Sequence, residues 1–100
     1  MKLNIKDRIY LPQVLAKNYS LIEGQTKRQI IEKTQFTEEE VEECGFSTEN
    51  GMTFWKKEKE IEVELSHAQI AFLKKSVEAL DQQSAITDEV FPLCEKIMAL

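Results

Sequence analysis

Apolar positions along this chain follow two periods, and each period marks out its elements. Between 67 and 82, Ile70, Leu73, Val77 and Leu80 recur at helical spacing, with Lys74, Lys75, Glu78 and Asp81 on the polar side. Ser66 precedes the run as a cap with Gln69 as its reciprocal partner, and Leu65 with Ile70 forms a hydrophobic staple. Phe72, Ala68 and Ala79 fall well round from the stripe at ~100° per residue. The apolar arc is therefore wider than one contact needs. This helix is expected either at the centre of the domain or lending part of its arc to an oligomer.

The same capping grammar marks other helices. In "FTEEEV" Thr37 caps, Glu40 answers it, and Phe36 and Val41 stand as the staple; Gly45 then closes a two-turn helix over 38–44, with Phe46 against Val41. "TKRQI" offers Thr26 with Gln29, and "ITDEVF" offers Thr87 with acidic residues in the first turn. Asn4 can cap a helix from Ile5, which Pro12 should interrupt or kink, and Pro92 should bend the last helix, whose face is Val90, Cys94 and Ile97.

Period two takes over after Gly45. "IEVEL" alternates Ile61, Val63 and Leu65 against Glu62 and Glu64, and "GMTFWK" follows the Asn50–Gly51 turn signal. With "KKEKE" as its tip, this predicts an antiparallel hairpin over about 52–57 and 60–65. A two- or four-residue loop sets Phe54 opposite Val63 and Met52 opposite Leu65, and turns Trp55 outward; a three-residue loop reverses the first strand. The expected fold is one α+β domain over 1–100, mostly helical, with four to five helices and one hairpin in an order like that of a winged helix-turn-helix.

Charge then decides what that shape can do. The net charge is −5 and uneven: residues 1–33 carry 7 basic against 3 acidic groups, 34–66 carry 3 against 10, and 67–100 carry 3 against 5. The helix that would enter a DNA groove offers Glu38, Glu39, Glu40, Glu42 and Glu43, which a phosphate backbone repels; Lys56, Lys57 and Lys59 are interleaved with Glu58 and Glu60. A nucleic-acid partner is disfavoured, as is an anionic membrane.

Catalytic chemistry finds little material. His67 is the one histidine, in the first turn of a capped helix, and Cys44 ends an acidic helix, the wrong setting for a thiolate nucleophile. One histidine and two distant cysteines make a poor zinc set, "TEEEVEEC" lacks the alternating ligands and glycine of a calcium loop, and no glycine loop could cradle phosphate. No enzyme activity, metal, cofactor or small-molecule substrate is expected. Cys44 and Cys94 read as buried hydrophobes of a reducing compartment, and neither a signal peptide nor a transmembrane run is evident, so a cytoplasmic protein is expected.

Protein binding remains, to a partner or to a second copy. Trp55 is the best anchor if it faces outward, with a core position as the alternative; Phe72 is a second candidate, and Glu38, Glu39, Glu42 and Glu43 could steer a basic partner.

"MKLNIKDRIYLPQVL", "FTEEEVEECGF", "GMTFW" and "ITDEVFPLCEKI", in that order along the chain, resemble a family of short uncharacterised proteins of bacteriophages and prophages of Gram-positive bacteria. The resemblance implies a phage accessory protein acting in the host cytoplasm. It brings no activity, cofactor or site residue with it. Ala16 stands where relatives tend to have proline, which leaves the end of the first helix open.

Overall fold

In the computed structural model, which describes all residues 1–100, five helices enclose one core and two small antiparallel sheets stitch their ends. The order is β1 (Lys2–Leu3), α1 (Ile5–Val14), α2 (Leu21–Thr34), α3 (Glu38–Cys44), β2 (Ser47–Glu49), β3 (Met52–Phe54), β4 (Ile61–Glu62), α4 (His67–Gln82) and α5 (Phe91–Met98). The fold is α+β and mostly helical. No helix is long and apolar enough to cross a membrane.

Helix α4 sits at the centre, packed against α1, α2 and α5. That accounts for its wide apolar arc: Phe72 is 4% exposed and lies in the core with Leu73 and Val77, beside Leu11, Leu15, Ile30, Leu93 and Ile97. Buried Ser76 sits in the same helix without penalty. Its hydroxyl donates to the Phe72 carbonyl at 2.9 Å and accepts from the Ala16 N–H at 3.0 Å, which ties the end of α1 to α4. Cys44 and Cys94 are buried and free, and burial pushes the Cys94 thiol up.

Four capping boxes fix helix starts, at Asn4, Ser20, Thr37 and Ser66. The second corrects the sequence reading. Ser20 with Glu23 begins α2 six residues before Thr26, which lies inside the helix and bonds the Ile22 carbonyl. Both pairs satisfy the same Ser/Thr-x-x-Glu/Gln pattern, so pattern alone could not choose between them. Thr87 likewise caps nothing with its side chain: residues 87–90 form a turn, and α5 starts at Phe91 with Pro92 in its first turn. There the missing N–H is one that helix geometry leaves unpaired anyway, so Pro92 opens the helix and does not bend it. Pro12 does not interrupt α1 either, which runs on to Val14; the cost is one absent bond, to the Arg8 carbonyl.

The hairpin is displaced from its expected place. β2 pairs with β3 across a two-residue turn, Asn50 (φ 52°) and Gly51 (φ 77°), with Ser47 opposite Phe54 and Glu49 opposite Met52. The 52–57/60–65 pairing does not form. Ile61 and Glu62 instead pair with Leu3 and Lys2, so β4 closes against the N-terminal strand. Asn50–Gly51 is the turn its sequence signals, but the strand after it pairs back across that turn with 47–49 and not forward with 60–65. Phe54 and Met52 accordingly face neither Val63 nor Leu65.

Candidate interaction surface

The helical corner between α2 and α3 is held from behind by Arg8. Its guanidinium donates Nη1 to Glu40 Oε2 at 2.7 Å and Nη2 to Glu40 Oε1 at 2.9 Å. The Nε donates to the Thr34 carbonyl at 3.0 Å and Nη2 also to the Gln35 carbonyl at 2.8 Å. One face stacks on the Phe36 ring, 4.2 Å from its centroid. A cation thus satisfies carbonyls at the C-terminus of α2 while pairing with a carboxylate in the first turn of α3, both favoured by the helix dipoles.

Glu40 does double duty, because the same Oε1 accepts the Thr37 N–H of the capping box at 3.0 Å. Hydrogen bonds from Arg8 outweigh the cost of burial and hold its carboxyl down at about 2, from an ordinary 4.5. Lys59 adds a second cation, 3.5 Å from both Glu40 and Glu43. Partial burial works against its charge, yet the two carboxylates raise its pKa on balance. So of the acidic run, Glu40 is internal and Glu43 is shared with Lys59. Glu38, Glu39 and Glu42 are exposed and enter no ion pair.

α3 runs straight into the hairpin. Gly45 adopts the left-handed conformation (φ 66°, ψ 49°), its N–H reaching Glu42 and the Phe46 N–H reaching Val41 at 3.1 Å, a complete Schellman end. Phe46 meets Phe36 edge-on at 4.8 Å and Trp55 at 6.4 Å, so three aromatics link the corner to the end of β3. Trp55 is half-buried. Its Nε1 donates to Glu58 Oε2 at 3.2 Å, and Glu58 Oε1 accepts from the Ile5 N–H at 3.2 Å, which anchors the segment to the start of α1.

Alternation along β3 sets Met52 and Phe54 on one side and Thr53 and Trp55 on the other. Met52 is 62% and Phe54 46% exposed. A groove of about 340 Å³ separates Met52, Thr53 and Trp55 from Lys6, Ile9 and Tyr10 of α1. A two-residue turn makes Glu49–Met52 the hydrogen-bonded pair, so the backbone N–H and C=O of Thr53 point to the open edge of the sheet.

The sequence candidates therefore separate. Trp55 packs near Phe46 just past the end of α3 and Glu43 is drawn to Lys59, while Glu38, Glu39 and Glu42 stay exposed on that helix. Phe72 does not join them: it is a core residue, and its candidacy as a contact is withdrawn. Met52 and Phe54 were missed because the expected register turned them into the core. The basic wing tip is also absent, since the tip is Asn50–Gly51, Lys56 packs beside Gly45 and Lys59 folds back on Glu40 and Glu43. The chain matches no known family model, no curated protein and no solved structure.

Proposed function

We propose that the chain is a protein-interaction module whose docking surface is the α3–hairpin corner, and that it serves as a small phage or prophage accessory protein. The observation that carries the docking surface is the exposure of Met52 and Phe54 on the hairpin that directly follows α3, a helix whose Glu38, Glu39 and Glu42 enter no ion pair. Apolar side chains beside a charged rim are the composition of an interface with a hydrophobic centre. The complementary partner is a protein segment with aliphatic or aromatic anchors flanked by Lys and Arg. The open edge of β3 adds a place for an extended strand to pair. The phage setting rests on the resemblance of the sequence.

The runner-up is a transcription-linked regulator on a degenerate winged-helix frame, favoured by the α2–α3–hairpin order. Against direct DNA contact stand the acidic exposed face of α3 and the uncharged hairpin tip. One set of measurements separates the two. With the partner purified, Met52→Asp/Phe54→Asp and Glu38→Lys/Glu39→Lys/Glu42→Lys should each weaken binding tenfold or more by calorimetry. Undiminished affinity in both variants refutes the surface, and a robust low-salt mobility shift of duplex DNA would favour the regulator.

A further inference from the structure

β3 pairs with β2 and with no other strand. The alternation that turns the Thr53 N–H and C=O outward acts again two residues on, where the Trp55 N–H and C=O enter no backbone hydrogen bond. Such an edge is a template for another strand, and proteins commonly guard it with a charge, a proline or a bulge. This one is unguarded. Residues 50–55, Asn-Gly-Met-Thr-Phe-Trp, hold no charge and no proline.

Charge at the two ends of the hairpin gives the edge a direction. Glu49 stands at the turn end, and Lys56 and Lys57 follow the far end of β3. All three are exposed and enter no ion pair. Antiparallel pairing of two such strands lays the acidic end of each against the basic end of the other, whereas parallel pairing would set lysine beside lysine.

We infer that the chain forms a two-fold homodimer by pairing the open edge of β3 with the same edge of a second copy. This rests on the reading of the α3–hairpin corner as a docking surface and names its occupant. β3 with Lys56 and Lys57 is itself an extended segment whose apolar and aromatic anchors are flanked by lysine. One register satisfies every position. With Thr53 opposite the second copy's Thr53, the outward N–H and C=O groups of the two strands meet. Met52 then lies opposite the other copy's Phe54, and Phe54 opposite its Met52. Both exposed side chains gain a cross-strand neighbour on one face, sulfur against ring. On the other face Trp55 lies opposite Gly51, where the missing side chain leaves room for the indole. The same edge serves both copies, so the contact is isologous and closes at two. Two short paired strands make a small interface, and the dimer should therefore be weak, with a dissociation constant between the micromolar and millimolar ranges.

Sedimentation equilibrium of the full chain should show a species of twice the 11.6 kDa chain mass that dissociates on dilution. Thr53→Pro should give monomer with an unchanged helical far-ultraviolet signal, because it removes an N–H that faces the open edge and not β2. A second variant reads the register. Thr53→Cys sets two thiols opposite each other at the two-fold axis, with Cα atoms about 5.5 Å apart, within disulfide reach. Mild oxidation should link these chains at least tenfold faster than those of Thr48→Cys, whose cysteine lies on the outer strand; native Cys44 and Cys94 are buried. Glu49→Lys should weaken association about tenfold, and mixing it with Lys56→Glu/Lys57→Glu should restore it. A chain that stays monomeric up to about 1 mM, the scale of a weak complex, overturns the proposal. So does a dimer indifferent to Thr53→Pro, or equal linking of the two cysteine variants. If such a monomer binds a different protein and loses it with Met52→Asp/Phe54→Asp, the docking surface stands and self-pairing alone falls.

Discussion

Arg8 and Glu40, 32 positions apart, form a buried bidentate ion pair that joins α1 to the α2–α3 corner. The pair explains how a short acidic helix is held against the body of the molecule. It also separates the internal carboxylate of the run from those left to solvent. Neither residue is exposed, Glu40 retaining 8%. The pair is therefore expected to answer to mutation as a buried one.

Arg8→Ala should destabilise the fold by about 3–5 kcal/mol, because it strands the Glu40 charge and unpairs the Thr34 and Gln35 carbonyls. The double variant Arg8→Met/Glu40→Met should cost less than the single losses added together, since no unpaired charge remains. Urea unfolding of both single variants and the double closes the cycle. Additive losses would show that the two residues act independently.

Acid should weaken the protein through the same group. The folded-state pKa of Glu40 is about 2 against 4.5 unfolded, so its stabilisation is fully present above about pH 4.5 and is lost as the pH falls toward 2. A depression of that size corresponds to roughly 3 kcal/mol. Stability measured between pH 6 and pH 2 should fall steeply in the wild type. Glu40→Gln should be weaker at pH 6 and flatter below 4.5; an unchanged slope would place the acid sensitivity elsewhere.

Local chemistry was the readable part of this sequence. The bounds of α3 and α4, with Thr37, Ser66 and Gly45 at their ends, follow from caps and periodicity over a few residues, and the structure keeps them. The pairing of β4 with β1 was not readable, because strands of two residues carry no period and their partner lies nearly 60 positions away. The same holds for the surface. Arg8 looks like one more cation near the N-terminus until the fold sets it over Phe36 and under Glu40. Leu21 and Ile22 looked like ordinary apolar residues while α2 was taken to begin at Thr26.

Gly45→Ala should destabilise by about 1 kcal/mol or more. The position sits at φ 66°, where a Cβ is strained, and that Cβ would approach the Lys56 side chain at 3.2 Å. Gly51→Ala, at φ 77° with nothing within 4 Å, carries the backbone strain alone and should cost less. Thermal unfolding of the two variants side by side reads the difference. Equal losses would mean that the Lys56 contact adds nothing.

Phe72 and Trp55 should part company in a paired test of stability and association. Phe72 is enclosed by the core, so Phe72→Ala should cost about 3–5 kcal/mol and alter binding only through the fraction of chain that is folded. Trp55 is half-buried, held by Phe46 on one side and by Glu58 at its indole nitrogen, and it borders the groove beside the open edge of β3. Trp55→Ala should cost about 1–2 kcal/mol in stability, less than full core truncation, and weaken partner binding at least tenfold as an interface aromatic does. Calorimetric binding measured below the unfolding transition of each variant keeps the two effects apart. A core-sized loss of stability with intact association would assign Trp55 to the scaffold, leaving Met52, Phe54 and the free carboxylates of α3 as the contact.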